Sequence, residues 1–219
     1  MKNSQRLDGI ISQMLKPLNG ISLNVVIEGL SGYKIIPFDN RDKKDRFLLK
    51  NLEKVAKLSA KKINENGIIR HRPNEVGNDI EPIVKNALTL IGYKATTPLT
   101  KNGKKKSTGY PDIEFIDEFF RTNYLECKTF NIENISTTQR SFYLSPSNNF
   151  KITKDAHHFA LSFEILSFKK TNNGNVYKCK SWKILSLENL SVDVKYEFNS
   201  DNKRIYTKEL ILAEGNVKS

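Results

Sequence analysis

The sequence predicts an α/β fold, a mixed β-sheet flanked by α-helices, with a helical and hairpin region at the N-terminus. Two long segments, residues 42–65 and 80–91, carry apolar residues at the spacing of an amphipathic helix. Other segments alternate apolar and polar residues, or are short and continuously apolar, as in half-buried and buried strands. A chain of 219 residues is long enough for one domain with a sizeable core.

The first part of the chain is predicted to form a helix followed by a β-hairpin. Residues 4–15 place apolar side chains at helical spacing. The segments Ser22–Ile27 and Tyr33–Pro37 have the composition of two strands, and the glycines Gly29 and Gly32 favour a turn between them. We therefore expect these two segments to pair as an antiparallel hairpin.

A long helix is predicted over residues 42–65, and Gly67 provides a natural stop at its C-terminus. We place a boundary at this point. Residues 1–67 are expected to form a helix, hairpin and helix that pack on the core or extend it. Residues 68–219 are expected to form the core together with the functional elements.

The helix predicted over residues 80–91 has the clearest apolar periodicity in the chain. Asn78 is suited to cap its N-terminus, and Pro82 is tolerated in a first turn. With that cap, Glu81 occupies the third helical position, where a glutamate completes a capping box. Glu75 lies before the helix, where no cap explains it.

Two short alternating segments, Gly109–Phe115 and Tyr124–Lys128, are predicted to form adjacent strands. If residues 118–122 are the connecting loop, Asp117 pairs with Asn123 in an antiparallel hairpin. Successive side chains of a strand point to opposite faces of the sheet. The polar residues of both segments then share one face, and the apolar residues share the other.

In this register, Asp112 lies opposite Lys128 and Glu114 lies opposite Glu126. Asp112 and Glu126 become diagonal neighbours, about 7–8 Å apart at the backbone, so both carboxylates can reach one ion. A register that differed by one residue would scatter the four side chains onto both faces.

Carboxylates that crowd one face repel each other, and a divalent cation removes that repulsion. Oxygen ligands without a nearby histidine or thiolate suit Mg²⁺ rather than zinc. Lys128 would lie beside the metal, where an ammonium group can orient or help deprotonate a water and offset charge on a phosphate. Carboxylates, a metal ion and a lysine in this arrangement predict an enzyme that hydrolyses phosphodiester bonds.

The dipeptide Pro111-Asp112, followed by Glu126-Cys127-Lys128, resembles the P-D…(D/E)-x-K signature of the restriction-endonuclease-like nuclease superfamily. The resemblance covers about residues 70–170 and implies a restriction-endonuclease-like core. It implies that Asp112, Glu126 and the backbone carbonyl of Cys127 bind Mg²⁺, and that Lys128 assists the attacking water. Members of this superfamily commonly carry a further acidic residue on the preceding helix, for which Glu75 and Glu81 are alternatives, and we expect at least one of them beside the metal.

The charge of the chain favours a nucleic-acid partner. Lys and Arg outnumber Asp and Glu by 36 to 24, a formal net charge of +12. A basic loop with four lysines runs directly into the Asp112 strand, and Arg70 and Arg72, which are also candidates for DNA contact, precede the second helix. The lysines, which we expect to contact DNA phosphates rather than form only a solvated surface, are Lys101, Lys104, Lys105 and Lys106.

The segment after Lys128 is rich in side chains that can read base edges or contact phosphates. Three further strands are predicted beyond it, over residues 157–166, 177–185 and 192–198. The polar residues that we consider candidates for DNA contact are Gln139, Arg140, Asn148, Asn149 and Lys151.

Several other classes of protein are poorly supported by the sequence. The two cysteines, Cys127 and Cys179, have no paired spacing, so neither a disulfide framework nor a zinc site is expected. Motifs of nucleotide-binding loops and serine hydrolases are absent. No apolar run approaches the length of a membrane span, and the N-terminal residues lack the apolar core of a signal peptide, so we expect a cytoplasmic protein.

We therefore expect a type II restriction endonuclease, a Mg²⁺-dependent enzyme that cleaves double-stranded DNA at a short specific site. By analogy with such enzymes, we expect a homodimer that is paired with a methyltransferase acting on the same site. Three alternatives stay open: a repair or recombination nuclease of the same superfamily, a DNA-binding module without catalysis, and a basic scaffold protein in which the two parts of the motif occur by coincidence.

Overall fold

The computed structural model describes residues 9–14, 18–106, 108–137, 140–195, 202–205, 207 and 209–211. The chain divides into two compact units. The larger unit comprises Ile21–Ser191, and the smaller unit comprises Met1–Gly20 and Val192–Ser219. The boundary that the sequence suggests after residue 67 remains a prediction.

The described residues form helices, strands and two single turns of 3₁₀-helix, at Pro73–Glu75 and Ile132–Asn134. Residues 9–14 are also helical. The helices are α1 (Leu23–Ser31), α2 (Lys43–Asn66), α3 (Gly77–Leu90) and α4 (Asn202–Ile205). The strands are β1 (Leu18–Ser22), β2 (Ile68–Arg70), β3 (Lys94–Thr96), β4 (Ile113–Ile116), β5 (Thr122–Phe130), β6 (His157–Thr171), β7 (Gly174–Ser186) and β8 (Ser191–Val194).

Six of the strands form one mixed sheet in the order β2-β7-β6-β5-β4-β3. The β5–β6 pair is parallel, and the other four pairs are antiparallel. Strands β1 and β8 form a separate two-stranded sheet. The prediction of a mixed sheet flanked by helices is therefore confirmed, and the strand predicted over residues 192–198 is shorter in its described part.

Helices α2 and α3 pack against each other and against the six-stranded sheet. Asp42 caps α2, because its carboxylate accepts hydrogen bonds from the amides of Lys44 and Asp45. The predicted helix over residues 42–65 is confirmed, and it ends at Gly67. The buried apolar residues that join these layers include Leu48, Leu52, Val55, Ile80, Val84, Leu88, Phe115, Leu125, Leu161 and Phe163. In the described part of the chain, no helix is long and apolar enough to cross a membrane.

The predicted hairpin of Ser22–Ile27 and Tyr33–Pro37 is wrong, because the first of these segments lies mostly in helix α1. Leu23 and Ile27 are its buried residues, and their spacing of four is the helical one. Gly32 ends this helix in a left-handed conformation, so this glycine is a helix stop rather than part of a hairpin turn. The second segment contributes only an isolated bridge at Ile35.

The start of helix α3 also differs from the prediction. The helix begins at Gly77, one residue before the proposed cap Asn78, and Val76 at the N-cap has no capping side chain. Pro82 lies inside the helix rather than in its first turn. Helix periodicity predicted the buried face, but the preceding 3₁₀ turn moves the N-terminus, which the pattern of apolar residues does not define.

The hairpin of β4 and β5 forms, with a register that is two residues away from the predicted one. Glu114 lies opposite Tyr124 and Ile113 lies opposite Leu125. The loop is closed by a hydrogen bond from the amide of Asp117 to the carbonyl of Arg121. Because the shift is an even number of residues, every side chain keeps its predicted face.

Gly67 provides a test of this architecture. Its φ of 71° and ψ of 169° are accessible almost only to glycine. A Cβ atom at this position would lie 2.4 Å from Cγ1 of Val176. We predict that Gly67→Ala lowers the free energy of unfolding by about 2–4 kcal/mol, measured by denaturant titration.

The matched control for this prediction is Gly32→Ala. Gly32 also has a positive φ, 77°, but a Cβ atom there meets no heavy atom within 4 Å. Backbone strain alone is expected to cost about 1–2 kcal/mol at this position. Equal losses in the two variants would contradict the close approach of Gly67 to β7.

Candidate active site

A cleft with a volume of about 970 Å³ lies along the second half of β5. Its wall includes four of the five residues predicted to be catalytic, Glu81, Asp112, Glu126 and Lys128. The N-terminal part of α3 and the irregular chain after β5 supply much of the remaining wall. The fold thus gathers the predicted catalytic residues in one concave site.

The β4–β5 register sets Asp112 beside Glu126. Ile113 pairs with Leu125, so the same register extended by one residue places Asp112 opposite Glu126. The Oδ2 atom of Asp112 accepts a hydrogen bond of 2.8 Å from the amide of Cys127. The Cys127 side chain points to the apolar face and joins the core. Alternate side chains of β5 therefore point either to the core, as that of Cys127 does, or to the cleft, as those of Glu126 and Lys128 do.

Glu126 and Lys128 form an ion pair on the polar face of β5, with 2.7 Å between Nζ and Oε1. The side chain of Glu126 is buried, and its Oε2 atom has no hydrogen-bond partner among the described residues. Burial, together with the charge of Asp112, raises the pKa of Glu126 to about 7, although Lys128 opposes this shift. One buried carboxylate oxygen is therefore left uncompensated.

The carboxyl group of Asp112 is subject to similar forces. Burial raises its pKa, and the negative charge of Glu81 raises it further. The amide of Cys127 opposes this increase by donating a hydrogen bond to the ionised form. Close carboxylates whose ionisation is disfavoured indicate a place where positive charge is missing.

The donor set fits a hard divalent cation. The buried Oε2 of Glu126 lacks a partner, and Asp112 lies beside it on the cleft wall. Within the described ranges, no three His, Cys, Asp or Glu side chains are grouped so that they could hold an ion by themselves. Mg²⁺ commonly uses one or two carboxylates and completes its octahedron with other oxygen atoms.

The structure separates the two alternatives for the acidic residue near helix α3. Glu81 lies on the cleft wall, and its carboxylate pairs with Lys85 at 3.0 Å. Glu75 is not on that wall. Its carboxylate accepts a long hydrogen bond of 3.4 Å from the amide of Arg72, in the capping box of the 3₁₀ turn Pro73–Glu75. The capping role predicted for Glu81 is wrong, because α3 begins at Gly77 without a capping side chain.

The predicted DNA contacts differ in their positions. The four lysines of the basic loop are exposed, but they do not line the cleft. Arg70 pairs with Asp79 at 2.6 Å, and Arg72 is exposed. Arg140 lies on the cleft wall, with its guanidinium 5.1 Å from the ring centre of Tyr143. Of the candidates named here, Arg140 is thus the one that lines the same cleft as the carboxylates.

The position of Lys151 differs most from the expectation for a DNA contact. This lysine is buried, and its ammonium group donates to two backbone carbonyls, so it is not presented to a phosphate. Asn148 is exposed, and the side chain of Asn149 accepts a hydrogen bond from the amide of Asn102. Gln139 lies outside the described residues.

Some residues of the cleft wall were not identified from the sequence. Asn131 and Asn134 follow β5 directly, and Tyr143 lies farther along the same irregular segment. Their position in the sequence could have identified them, because polar residues that directly follow a strand remain near its end. Ser167 of β6 and Tyr177 of β7 reach the cleft only through sheet pairing, which no local pattern encodes.

The two adjacent histidines have structural roles. His157 lies between the carbonyl of Ile36 and the ion pair of Asp45 with Arg121. The Nδ1 atom of His158 lies 2.6 Å from the hydroxyl of Tyr110, and burial lowers the pKa of His158 to about 3. Neither lines the cleft.

A mixed sheet with Asp112, Glu126 and Lys128 on one cleft wall fits the class of nuclease that the sequence resembles, the PD-(D/E)xK superfamily. The type II restriction enzyme MjaV family matches residues 18–209. The type II restriction enzyme MjaV of Methanocaldococcus jannaschii is 41% identical over 229 residues, covering 98% of this chain and 97% of the relative. The chain therefore belongs to the type II restriction enzyme MjaV family.

A solved structure shows a weaker likeness. The crystal structure of tetrameric restriction endonuclease SfiI bound to cognate DNA matches 69% of this chain and 66% of that chain, just under two thirds of its length. The identity is 13% and the TM-score is 0.41. Family membership rests on the sequence matches, and it makes this protein a DNA-binding type II restriction endonuclease.

The carboxylate pair leads to a prediction about stability in the absence of metal. At pH 8 Glu126, with its pKa near 7, is ionised, buried and close to another carboxylate. We predict that Glu126→Gln raises the free energy of unfolding by about 1–2 kcal/mol, because the substitution removes this buried like charge. Chelator-treated protein and denaturant titration provide the measurement.

Glu114→Gln is the matched control on the same face of the sheet. Its carboxylate pairs with the half-exposed ammonium of Lys154 at 2.8 Å. Loss of this pair is expected to lower the stability by about 0–1 kcal/mol. A loss of stability in Glu126→Gln would show that its ion pair with Lys128 outweighs the repulsion.

Proposed function

We propose that this enzyme hydrolyses phosphodiester bonds of double-stranded DNA at a specific short site, in a reaction that depends on Mg²⁺. The observation that carries the proposal is the uncompensated carboxylate pair of Asp112 and Glu126, with Lys128 at 2.7 Å from Glu126. Membership of a type II restriction enzyme family supports it.

The carboxylates of Asp112 and Glu126 and the backbone carbonyl of Cys127 would hold the metal. When bound, Mg²⁺ neutralises charge on the scissile phosphate and lowers the pKa of a water ligand. The hydrogen bond from Cys127 to Oδ2 of Asp112 keeps the other carboxylate oxygen, Oδ1, available for this purpose. The lone Oε2 of Glu126 is the matching donor atom on β5.

Lys128 provides positive charge at the side of Glu126. Its ammonium can share its hydrogen bonds between Oε1 of Glu126 and a water that approaches the phosphate, which orients the water for in-line attack. It also offsets negative charge that develops on the phosphate oxygens. Burial of Glu126 strengthens both effects, because charges interact more strongly where water is excluded.

DNA would enter the cleft along the segment that follows β5. Arg140 and Tyr143 would provide a charged and an aromatic contact, and Asn131 and Asn134 would provide donors and acceptors beyond the end of β5. The other residues that the sequence indicates for DNA contact would bind phosphates and base edges. These are Arg70, Arg72, Lys101, Lys104, Lys105, Lys106, Gln139, Asn148 and Asn149.

We further propose that the enzyme acts as a homodimer, because a two-fold protein matches a palindromic site on two-fold DNA. A cytoplasmic endonuclease of this kind endangers its own genome. We therefore infer that it is paired with a DNA methyltransferase that modifies the same site.

Cleavage of long duplex DNA tests the proposal. With Mg²⁺ we predict discrete fragments, and with a chelator we predict intact DNA. Asp112→Asn and Lys128→Met are each expected to lower kcat by at least about 10³-fold, because they remove a metal ligand and the charge beside the reacting phosphate. A gel-shift assay should show that both variants still bind the duplex.

Lys154→Met is the control, because Lys154 pairs with Glu114 outside the cleft wall. Full activity is expected in this variant. A smear of fragments would favour a repair or recombination nuclease, and DNA that is bound but uncut in both conditions would favour a binding module. Undiminished cleavage by Asp112→Asn would contradict the site assignment.

The acidic residue near α3 gives a separate prediction. We expect Glu81→Gln to reduce kcat about 10- to 100-fold, because its charge acts on Asp112 from the cleft wall. Glu75→Gln is the matched control, since Glu75 accepts its hydrogen bond outside the cleft. Single-turnover cleavage rates of the two variants provide the comparison, and a larger loss in Glu75→Gln would reverse the assignment.

A further inference from the structure

A buried lysine lies next to the turn that leads into β4. Lys151 is 3% exposed, although lysine is almost never fully buried unless its charge is compensated. Its neighbours are fixed on both sides. The carbonyl of Phe150 accepts a hydrogen bond of 2.8 Å from the amide of Lys101, and the amide of Thr153 donates to the hydroxyl of Tyr124 at 3.1 Å. The side chain therefore extends from an anchored segment.

The ammonium group of Lys151 holds two backbone carbonyls. Nζ donates to the carbonyl of Gly109 at 2.6 Å and to that of Pro111 at 2.9 Å. Pro111 is bonded directly to Asp112, whose carboxylate accepts the amide of Cys127. Lys151 thus fixes the peptide before Asp112, while β5 fixes the carboxylate.

The charge of Lys151 also acts on the carboxylates of the cleft. Burial lowers the pKa of Lys151, and the charges of Asp112, Glu126 and Glu81 oppose this decrease. In return, the ammonium lowers the pKa of both Asp112 and Glu126 against the effect of their burial. The buried cation and the carboxylates therefore stabilise each other's ionised forms.

We infer that Lys151 is a positioning residue of the active site, which holds the carbonyls of Gly109 and Pro111 so that the Asp112 carboxylate stays against the amide of Cys127. The inference rests on the proposed function for the role of Asp112. A displacement of about 1 Å at a catalytic group can cost about 100-fold in rate. Residues that orient metal ligands commonly affect activity 10- to 100-fold.

Amide hydrogen exchange at Cys127 reports the position of Asp112 without metal or DNA. In Lys151→Met, the new side chain is of similar length but has neither charge nor donors. We expect the Cys127 amide to exchange at least about tenfold faster in this variant, while the amide of Leu161 in β6 exchanges at the wild-type rate. In the cleavage assay, kcat should fall about 100-fold with KM for DNA unchanged. Nuclear magnetic resonance of labelled, chelator-treated protein gives both exchange rates.

Lys154→Met is the matched control, because it removes a lysine from the same segment whose ammonium instead pairs with Glu114. Neither exchange at Cys127 nor kcat should change. Unchanged exchange at Cys127 in folded Lys151→Met overturns the inference. Equal acceleration at Cys127 and Leu161 also overturns it, because Lys151 would then support only the general stability of the fold.

A second variant and the metal-free measurement cover the cases in which Lys151→Met does not fold or the wild-type enzyme is inactive. If Lys151→Met does not fold, Lys151→Leu is measured in the same way, since its side chain also lacks both charge and hydrogen-bond donors. Faster exchange confined to Cys127 supports the inference, and unchanged exchange overturns it. If the wild-type enzyme cleaves no DNA with Mg²⁺, the proposed function fails, while the metal-free exchange rates still decide the role of Lys151.

Discussion

The pairing of β4 with β5 is the constraint on which the active site depends. It directs Phe115 and Leu125 into the helix-covered core and places Asp112 and Glu126 together on the other face. A slip of one residue between the strands would turn one of them over, so that its apolar residues would face the cleft and its carboxylate would face the helices. The hydrophobic pattern that stabilises the sheet therefore also fixes the positions of these two carboxylates.

The fold holds these carboxylates in an electrostatically unfavourable arrangement. Burial and mutual repulsion raise the pKa of Glu126 and Asp112. Lys128 and Lys151 compensate only part of this, one through an ion pair and the other through charge at a distance. A fold optimised for stability alone would replace such a cluster by apolar residues of similar volume. The core formed by α2, α3 and the sheet supplies the stability that this site does not.

The sequence predicted features that depend on neighbouring residues in the chain. The periodicity of residues 42–65 and 80–91 predicted two helices, and alternation around Asp112 and Glu126 predicted which side chains share a face. Features that depend on contacts between residues far apart in the sequence were either missed or predicted wrongly. The segment Ser22–Ile27 was predicted as a strand but lies mostly in helix α1, in which the buried residues Leu23 and Ile27 are four positions apart. The β4–β5 register differed by two residues because it depends on where Asp117 closes the turn.

The role of Lys151 also depends on contacts that the sequence does not reveal, and this residue links the segment after β5 to the peptide before Asp112. In the sequence it resembled a lysine available for phosphate contact, and only tertiary packing turns its ammonium toward Gly109 and Pro111. It belongs to the same irregular connection between β5 and β6 that contributes Arg140 and Tyr143 to the cleft wall. Two residues of the cleft wall are thus covalently continuous with the lysine that holds the peptide before Asp112. A displacement of this connection would therefore act on that peptide through the ammonium group of Lys151.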